Sequence, residues 1–151
     1  MNKTNIVKRS LLYFSITLLF APPFSALAKN KTVEPMQVEI VRVIDGDTVV
    51  LSKKISGTDR LRLEGIDTPE TRTAKCNREA SLGYEAKGYA RALLEDKQVI
   101  LYTSGKTDKY RRLIGRIMVN DANYGQTMIE KGYAVRWTKE WAAAPKEKRW
   151  C

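Results

Sequence analysis

Short stretches that are rich in β-branched residues, or that alternate between apolar and polar residues, predict five β-strands. The first two strands flank Asp45-Gly46, a dipeptide that is typical of tight hairpin turns. In the third strand, Leu61 and Leu63 share one face, and charged residues occupy the other face. The predicted strands cover residues 38–44, 48–51, 60–66, 98–102 and 113–119.

Apolar residues return at helical spacing between the third and fourth strands, which predicts an amphipathic helix from Ala80 to Leu94. A short helix over residues 124–131 should end at Gly132, residues 133–135 add an extended segment, and a last helix runs from about Thr138 to Ala144. This order favours an α+β or mainly β fold, a five-stranded Greek-key barrel of the oligonucleotide-binding (OB) type with two to three helices. A split α+β sheet would give a similar order of elements.

The first 28 residues have the layout of a secretory signal peptide. Basic residues precede an apolar run over residues 11–20, and Ser25-Ala26-Leu27-Ala28 supplies small residues for cleavage. An uncleaved anchor is the alternative, but the run is shorter than the roughly 20 apolar residues that cross a bilayer. We therefore expect cleavage after Ala28, a flexible lead-in over residues 29–36, and one domain over residues 37–151 in the periplasm or the medium.

The chain is clearly basic, with a formal charge of +10. Loss of the signal peptide removes three basic residues and no acidic ones, which leaves +7 on 123 residues, the size of one ordinary domain. Such a charge attracts nucleic acid, anionic lipid or acidic polysaccharide and does not choose between them. Cys76 and Cys151 should pair in an oxidising compartment, and the alternative is a terminal thiol that pairs between molecules.

Four acidic residues lie close to the ends of predicted strands. They are Asp45, Asp47, Asp67 and Glu70. The sequence has no histidine and only two distant cysteines, so these oxygen donors favour calcium or magnesium over zinc or copper. A plainer alternative is that Asp45 and Asp47 shape the hairpin and that Asp67 starts a turn before Thr68-Pro69.

Two arginines accompany the acidic residues. Arg62 projects from the charged face of the third strand, and Arg112 opens the fifth strand. A guanidinium binds phosphate through two parallel hydrogen bonds, which an ammonium group reproduces poorly. Taken singly, each arginine could be a solvated surface cation, but beside the acidic residues they indicate a metal site that handles an anionic substrate.

Three motifs together resemble the thermonuclease family, the staphylococcal nuclease-like enzymes. They run from Val43 to Val49, from Arg62 to Glu70 and from Thr107 to Arg112, and their order and spacing agree with the family. The resemblance covers roughly residues 37–137. It implies the five-stranded OB barrel and a calcium-dependent, sugar-nonspecific nuclease that hydrolyses DNA and RNA on the 5′-oxygen side of the phosphodiester, leaving 3′-phosphates.

The resemblance implies one calcium ion as the cofactor. Its ligands would be Asp47, Asp67 and the backbone carbonyl of Thr68, with Asp45 supporting them from outside the coordination sphere. A divalent cation at this place would neutralise charge on a phosphodiester, most strongly as that charge builds in the transition state.

The resemblance assigns the substrate chemistry to basic residues and one glutamate. Arg62 and Arg112 would bind the phosphate, and Glu70 would act as the general base. Lys109 and Tyr110 fall where the family contacts a flanking phosphate. The implied partners are DNA and RNA, and we expect a monomer with no stable membrane association after signal cleavage.

Two features depart from the family pattern. Arg111 stands where the family usually has glycine, so we expect that loop to take a different turn. Thr138 and Glu140 stand where the family has two tyrosines. We predict that Trp137 or Trp141, together with Tyr110, supplies an aromatic surface on which bases stack. The alternative is that both tryptophans pack the last helix onto the barrel.

Two other classes of function agree with parts of the sequence. A non-catalytic OB module that binds nucleic acid would be expected to have lost some of the chemical residues, and all five are present. These five are Asp47, Arg62, Asp67, Glu70 and Arg112. A cationic protein that binds envelope polyanions needs only the charge and leaves the acidic cluster unexplained.

Overall fold

The computed structural model describes residues 34–151. The predicted signal peptide and most of the predicted lead-in lie outside the described residues. Met36, which we placed in the lead-in, is the first residue of a strand. The strands are β1 (Met36–Asp45), β2 (Thr48–Ile55), β3 (Thr58–Leu63), β4 (Ile66–Asp67), β5 (Lys97–Tyr102), β6 (Leu113–Val119), β7 (Ala122–Asn123) and β8 (Val135–Arg136). The helices are α1 (Asn77–Leu94), α2 (Tyr124–Glu130) and α3 (Lys139–Ala143), followed by a 3-10 helix over Lys146–Lys148.

Five of these strands form a closed barrel. They are hydrogen-bonded in the order β3, β2, β1, β5 and β6, and a parallel pairing of β3 with β6 closes the sheet. Because β3 and β6 pair with each other, neither of them is left as an open edge of the barrel. The predicted OB-type barrel of the α+β class is therefore confirmed, with three α-helices among residues 34–151.

The barrel interior is filled by apolar residues that alternate along the strands. Ile40, Leu61 and Leu113 are fully buried there. Helix α1 packs against β1, and its small residues Ala86 and Ala90 are fully buried in the same core. The predicted apolar face of this helix is thus the face that packs on the barrel.

Several boundaries differ from the predictions, including the end of β2, which lies at Ile55 and not at residue 51. Two of the differences have clear local reasons. Helix α1 begins three residues before Ala80, because Cys76 caps it and the polar first turn shows no apolar periodicity. Ile66 does not continue the third strand, since Gly65 has φ +80° and ends it. None of the described helices is both long and apolar enough to cross a membrane.

Ile66 and Asp67 instead form β4, which pairs with β8 in a separate two-stranded sheet. The pairs are Ile66 with Arg136 and Asp67 with Val135. The extended segment predicted over residues 133–135 is therefore real but short and begins later. Through this pairing, Asp67 is tied to the start of the C-terminal segment.

Candidate active site

The hairpin between β1 and β2 presents Asp47 in its turn. Asp45 pairs with Thr48, so Gly46 and Asp47 form a two-residue connection. The buried hydroxyl of Tyr124 donates a hydrogen bond of 2.7 Å to the Gly46 carbonyl. A Cβ at Gly46 would lie 2.9 Å from Cγ2 of Thr68, so glycine permits this close approach. The turn is fixed in place by its neighbours on both sides.

Arg62 lies between the carboxylates of Asp47 and Asp67. Its Nη1 pairs with Oδ2 of Asp47, and its Nη2 lies 3.2 Å from Oδ1 of Asp67 and 3.1 Å from the Ile66 carbonyl oxygen. Burial lowers the pKa of the Arg62 guanidinium, although the charge of Asp67 opposes this. The structure therefore brings the predicted phosphate-binding arginine and two predicted metal ligands into direct contact.

The proposed metal ligands share a small, mostly buried volume. Asp47 is only 5% exposed, and its two carboxylate oxygens accept hydrogen bonds of 3.0 Å from the Thr48 hydroxyl and the Thr68 amide. The Thr68 hydroxyl oxygen is buried without a hydrogen-bond partner among the described residues. An unsatisfied buried oxygen on the residue that follows Asp67, and whose amide binds Asp47, fits a hard cation.

The same residues also limit how the cation is bound. Within residues 34–151, no three acidic, histidine or cysteine side chains are grouped as a metal site. A cation held by Asp47 and Asp67 would therefore need further oxygen ligands from Thr68, water or substrate, because calcium takes six to eight.

Arg112 is held by Asp108, which the sequence analysis did not assign to the site. Nε and Nη2 of Arg112 lie 2.8 and 2.7 Å from Oδ2 of Asp108, and Nη1 lies 3.3 Å from the hydroxyl oxygen of Thr48. Burial raises the pKa of Asp108, but hydrogen bonds from the Arg112 backbone and side chain outweigh it and lower the pKa. The available signal was that aspartate favours the start of a turn, where its side chain bonds nearby backbone amides, as Asp108 does with the Tyr110 amide. Through Thr48, Arg112 is linked to Asp47.

Glu70 is exposed, and the backbone around it is held against α1. Its Oε2 accepts a hydrogen bond of 2.9 Å from the Thr73 hydroxyl. The buried carboxylate of Glu79 accepts hydrogen bonds from the amides of Glu70 (3.4 Å) and Lys75 (2.5 Å). A Cβ at Gly83 would lie 2.7 Å from the Glu70 carbonyl carbon, so the loop rests directly on the helix. Glu79 also lines the candidate site, although it lies outside the three motifs and just before the predicted helix start at Ala80.

Asp45 supports the loop after Glu70 more directly than it supports the metal ligands. Its Oδ1 accepts a hydrogen bond of 2.6 Å from the hydroxyl of Thr71. Both residues line a groove together with Glu70. A role for Asp45 in this site would therefore act through the loop that carries Glu70.

Lys109 and Tyr110 lie beside Arg112. The Tyr110 ring is 66% exposed, and its centroid lies 5.1 Å from Nζ of Lys109 and 5.3 Å from Cζ of Arg112. Arg111 has φ +62°, the left-handed conformation that glycine favours. The missing glycine thus does not by itself require a different turn.

Two tryptophan side chains contact Asp67. Nε1 of Trp141 donates to Oδ2 at 2.9 Å, and Nε1 of Trp150 donates to the same oxygen at 3.3 Å. The two rings meet edge to face, with centroids 5.4 Å apart. Trp137 is 48% exposed and remains the candidate for the predicted aromatic surface. The sequence analysis did not identify Trp150 as a site residue.

The predicted disulfide between Cys76 and Cys151 is present, with Cα atoms 6.0 Å apart. Cys151 directly follows Trp150 in the sequence. The C-terminal residues Arg149 and Trp150 line a cavity of about 140 Å³ together with Asp67, Thr68 and Glu70. The end of the chain is therefore part of the candidate site.

Several known proteins resemble this chain. An endonuclease of Bacillus subtilis (strain 168) named YhcR is 31% identical over 100 residues, which is 62% of this chain and 8% of that protein. A thermonuclease of Staphylococcus hyicus is 28% identical over 132 residues, or 85% of this chain and 76% of that protein. A thermonuclease of Staphylococcus intermedius is 35% identical over 98 residues, or 63% of this chain and 56% of that protein.

A family model agrees with these similarities and with the fold. Residues 60–149 match the model described as staphylococcal nuclease homologue. The matched range includes Arg62, Asp67, Glu70 and Arg112, and it ends at Arg149, one residue before Trp150. The match covers more than half of the chain, which therefore belongs to the staphylococcal nuclease homologue family.

Proposed function

We propose that this protein is a calcium-dependent nuclease that hydrolyses phosphodiester bonds of DNA and RNA. The observation that carries the proposal is the linked arrangement of Arg62, Arg112 and Asp47. Asp67, which pairs with Arg62, lines the same cavity as the exposed residue Glu70. The relatives named endonuclease and thermonuclease support the same reaction class. A binding module would have no use for a base beside its phosphate-binding residues.

The two arginines are suited to a phosphate whose charge rises during the reaction. Asp67 and Asp108 hold the guanidiniums of Arg62 and Arg112, so little reorganisation is needed when substrate arrives. Glu70 would accept the proton of the attacking water, whose oxygen forms the new bond to phosphorus. The bond between phosphorus and the 5′-oxygen then breaks, the leaving oxygen takes up a proton, and a 3′-phosphate remains.

A bound metal ion would supply further positive charge at the phosphate. Asp47 and Asp67 would hold it, with the Thr68 carbonyl as a third ligand. We propose calcium, because it accepts irregular sets of oxygen ligands, whereas magnesium requires near-ideal octahedral geometry. Two carboxylates with neutral oxygens and water suit the less demanding ion.

Removing divalent metal should abolish cleavage. Purified protein with DNA or RNA should show no cleavage in excess EDTA, which binds both calcium and magnesium, and activity should return when calcium exceeds the chelator. Magnesium in excess of the chelator should restore less activity than calcium. EDTA presaturated with calcium controls for effects of the chelator itself. Cleavage of DNA at the full rate in excess chelator would contradict the metal site.

We also propose that the protein is exported and acts as a monomer. The disulfide between Cys76 and Cys151 supports export, because such bonds persist in oxidising compartments. The predicted signal peptide over residues 1–28 would direct this export.

A basic groove next to Glu70 supports a polymeric substrate. Four of its lining residues are cationic, namely Arg42, Arg60, Arg72 and Lys87. Within the described part of the chain, none of these four forms an ion pair with a carboxylate. Glu70 and Thr73 line both this groove and the smaller cavity beside Asp67. We propose that phosphates flanking the cleaved bond lie in this groove.

Neutralising the groove should weaken binding of long DNA. For Arg72→Ala combined with Lys87→Ala, the slope of log affinity against log salt concentration should fall by about one to two. The matched control is Lys53→Ala with Lys131→Ala, which removes the same charge from exposed sites outside the groove. Cleavage of a dinucleotide, too short to fill the groove, should be unchanged. Equal slopes for both double variants would exclude the groove as the binding site of the flanking phosphates.

A further inference from the structure

Trp141 and Trp150 occupy an unusual position for tryptophans near a phosphate site, because their N–H groups point at a carboxylate. Both indoles donate to Oδ2 of Asp67, whereas Oδ1 accepts one hydrogen bond from Arg62 and keeps a second lone pair for a cation. We propose that the two tryptophans are positioning residues that orient Asp67 for the metal, and that the Cys76–Cys151 disulfide holds Trp150 there. This inference rests on the proposed function.

Indole donors suit this role because they are neutral. An indole has one N–H donor and no acceptor, so it fixes a carboxylate oxygen without cancelling the negative charge. The indoles add no positive charge to that of Arg62, which already contacts Asp67, whereas a second cationic side chain there would weaken the binding of a divalent cation. Partners that orient a metal ligand in this way typically change metal affinity by about 10- to 100-fold.

The chain positions Trp141 through the start of α3. The Thr138 hydroxyl accepts a hydrogen bond of 3.1 Å from the Trp141 amide and so caps the helix. Strand β8 pairs with β4 just before this helix, with Val135 opposite Asp67. Thr138, which replaces a family tyrosine, therefore acts through the helix that carries Trp141.

Trp150 depends on a covalent tether. The neighbouring Cys151 is bonded to Cys76, the residue that caps α1, and Nη1 of Arg78 lies 3.4 Å from the Cys151 carbonyl oxygen. The Trp150 and Trp141 rings pack edge to face, so each indole helps to place the other. The tether thus connects the N-terminus of α1 to the metal ligand Asp67.

Calcium binding without substrate tests this role. Trp141→Phe and Trp150→Phe keep an aromatic ring and remove only the indole N–H and the second ring. By isothermal titration calorimetry, the calcium Kd should rise by about 10- to 100-fold in the double variant and by less in each single variant. Trp137→Phe is the matched control, because this half-exposed tryptophan makes no hydrogen bond to Asp67, and its Kd should stay at the wild-type value.

A double-mutant cycle separates positioning from general loss of stability. Cys76→Ser combined with Cys151→Ser should raise the calcium Kd in the wild-type background but add almost nothing to Trp150→Phe, because both changes remove the contact of Trp150 with Asp67. Additive effects, or an unchanged Kd in the double tryptophan variant, would overturn the inference. Thermal unfolding of each variant reports folding separately. Failure of the wild-type protein to bind calcium would instead refute the metal in the proposed function, and the inference with it.

Discussion

Replacing Glu70 by glutamine is expected to slow DNA cleavage by about 10²–10⁴-fold while leaving DNA affinity nearly unchanged. The amide keeps the size of the side chain and can still accept the hydrogen bond from Thr73. It cannot take a proton from water at neutral pH. Because the backbone at Glu70 rests on Gly83 of α1, the substitution should not move the loop.

Single-turnover cleavage of a labelled DNA, at saturating calcium, measures this effect on the chemical step. DNA affinity is measured in parallel by fluorescence anisotropy with a non-hydrolysable analogue. Glu64→Gln is the matched control, since Glu64 is also exposed but lines a different cavity with Arg116. A Glu70→Gln enzyme that cleaves as fast as wild type would remove Glu70 from the mechanism. A parallel loss of affinity would indicate a role in binding instead.

The sequence predicted the barrel well because its signals are local. β-Branched residues with period-two alternation mark the strands, and Asp45-Gly46 marks the hairpin that presents Asp47. The fifth predicted strand, residues 113–119, coincides with β6. Where one face of a strand is buried and the turn contains residues that favour it, the pattern along the chain is sufficient to predict the strand and its register.

The details of the site depend on contacts between distant residues, which no local pattern encodes. Trp150 and Asp67 are 83 residues apart in sequence, and their hydrogen bond exists only in the folded chain. The pairing of β4 with β8 is equally non-local, although Gly65 was a sign that the third strand ends early. The resemblance to the family indicated Arg62, Arg112 and Asp67, but not that Asp67 contacts Arg62 or that Asp108 holds Arg112.

The roles of the acidic residues illustrate the same limit. The sequence predicted that Asp45 and Asp47 lie close together, which follows from the hairpin alone. Only the folded structure separates their contacts, because Asp47 faces Arg62 and Asp45 accepts from Thr71 in the loop after Glu70. Alternation along a strand gives the face of a residue, but not its partner across the site.

Removing the Cys76–Cys151 disulfide is expected to lower the free energy of unfolding by at most about 4–5 kcal/mol, because the bond closes a loop between residues 75 positions apart in sequence. In the chain-entropy model, the bond stabilises the fold by restricting the unfolded chain, and residual structure in the denatured state reduces the gain. Helix α3 has no buried residues, so the C-terminal segment depends more on this tether than the barrel does.

Urea denaturation of Cys76→Ser combined with Cys151→Ser, compared with the oxidised wild type, measures the loss. The double variant leaves no single thiol that could pair between molecules. Serine at position 76 also preserves the cap of α1, which the cysteine sulfur now provides by accepting the Glu79 amide at 3.4 Å. The difference therefore reports the tether and not the helix. Wild-type protein kept in reductant should unfold at the same urea concentration as the double variant, and an unchanged midpoint in both would show that the bond adds no stability.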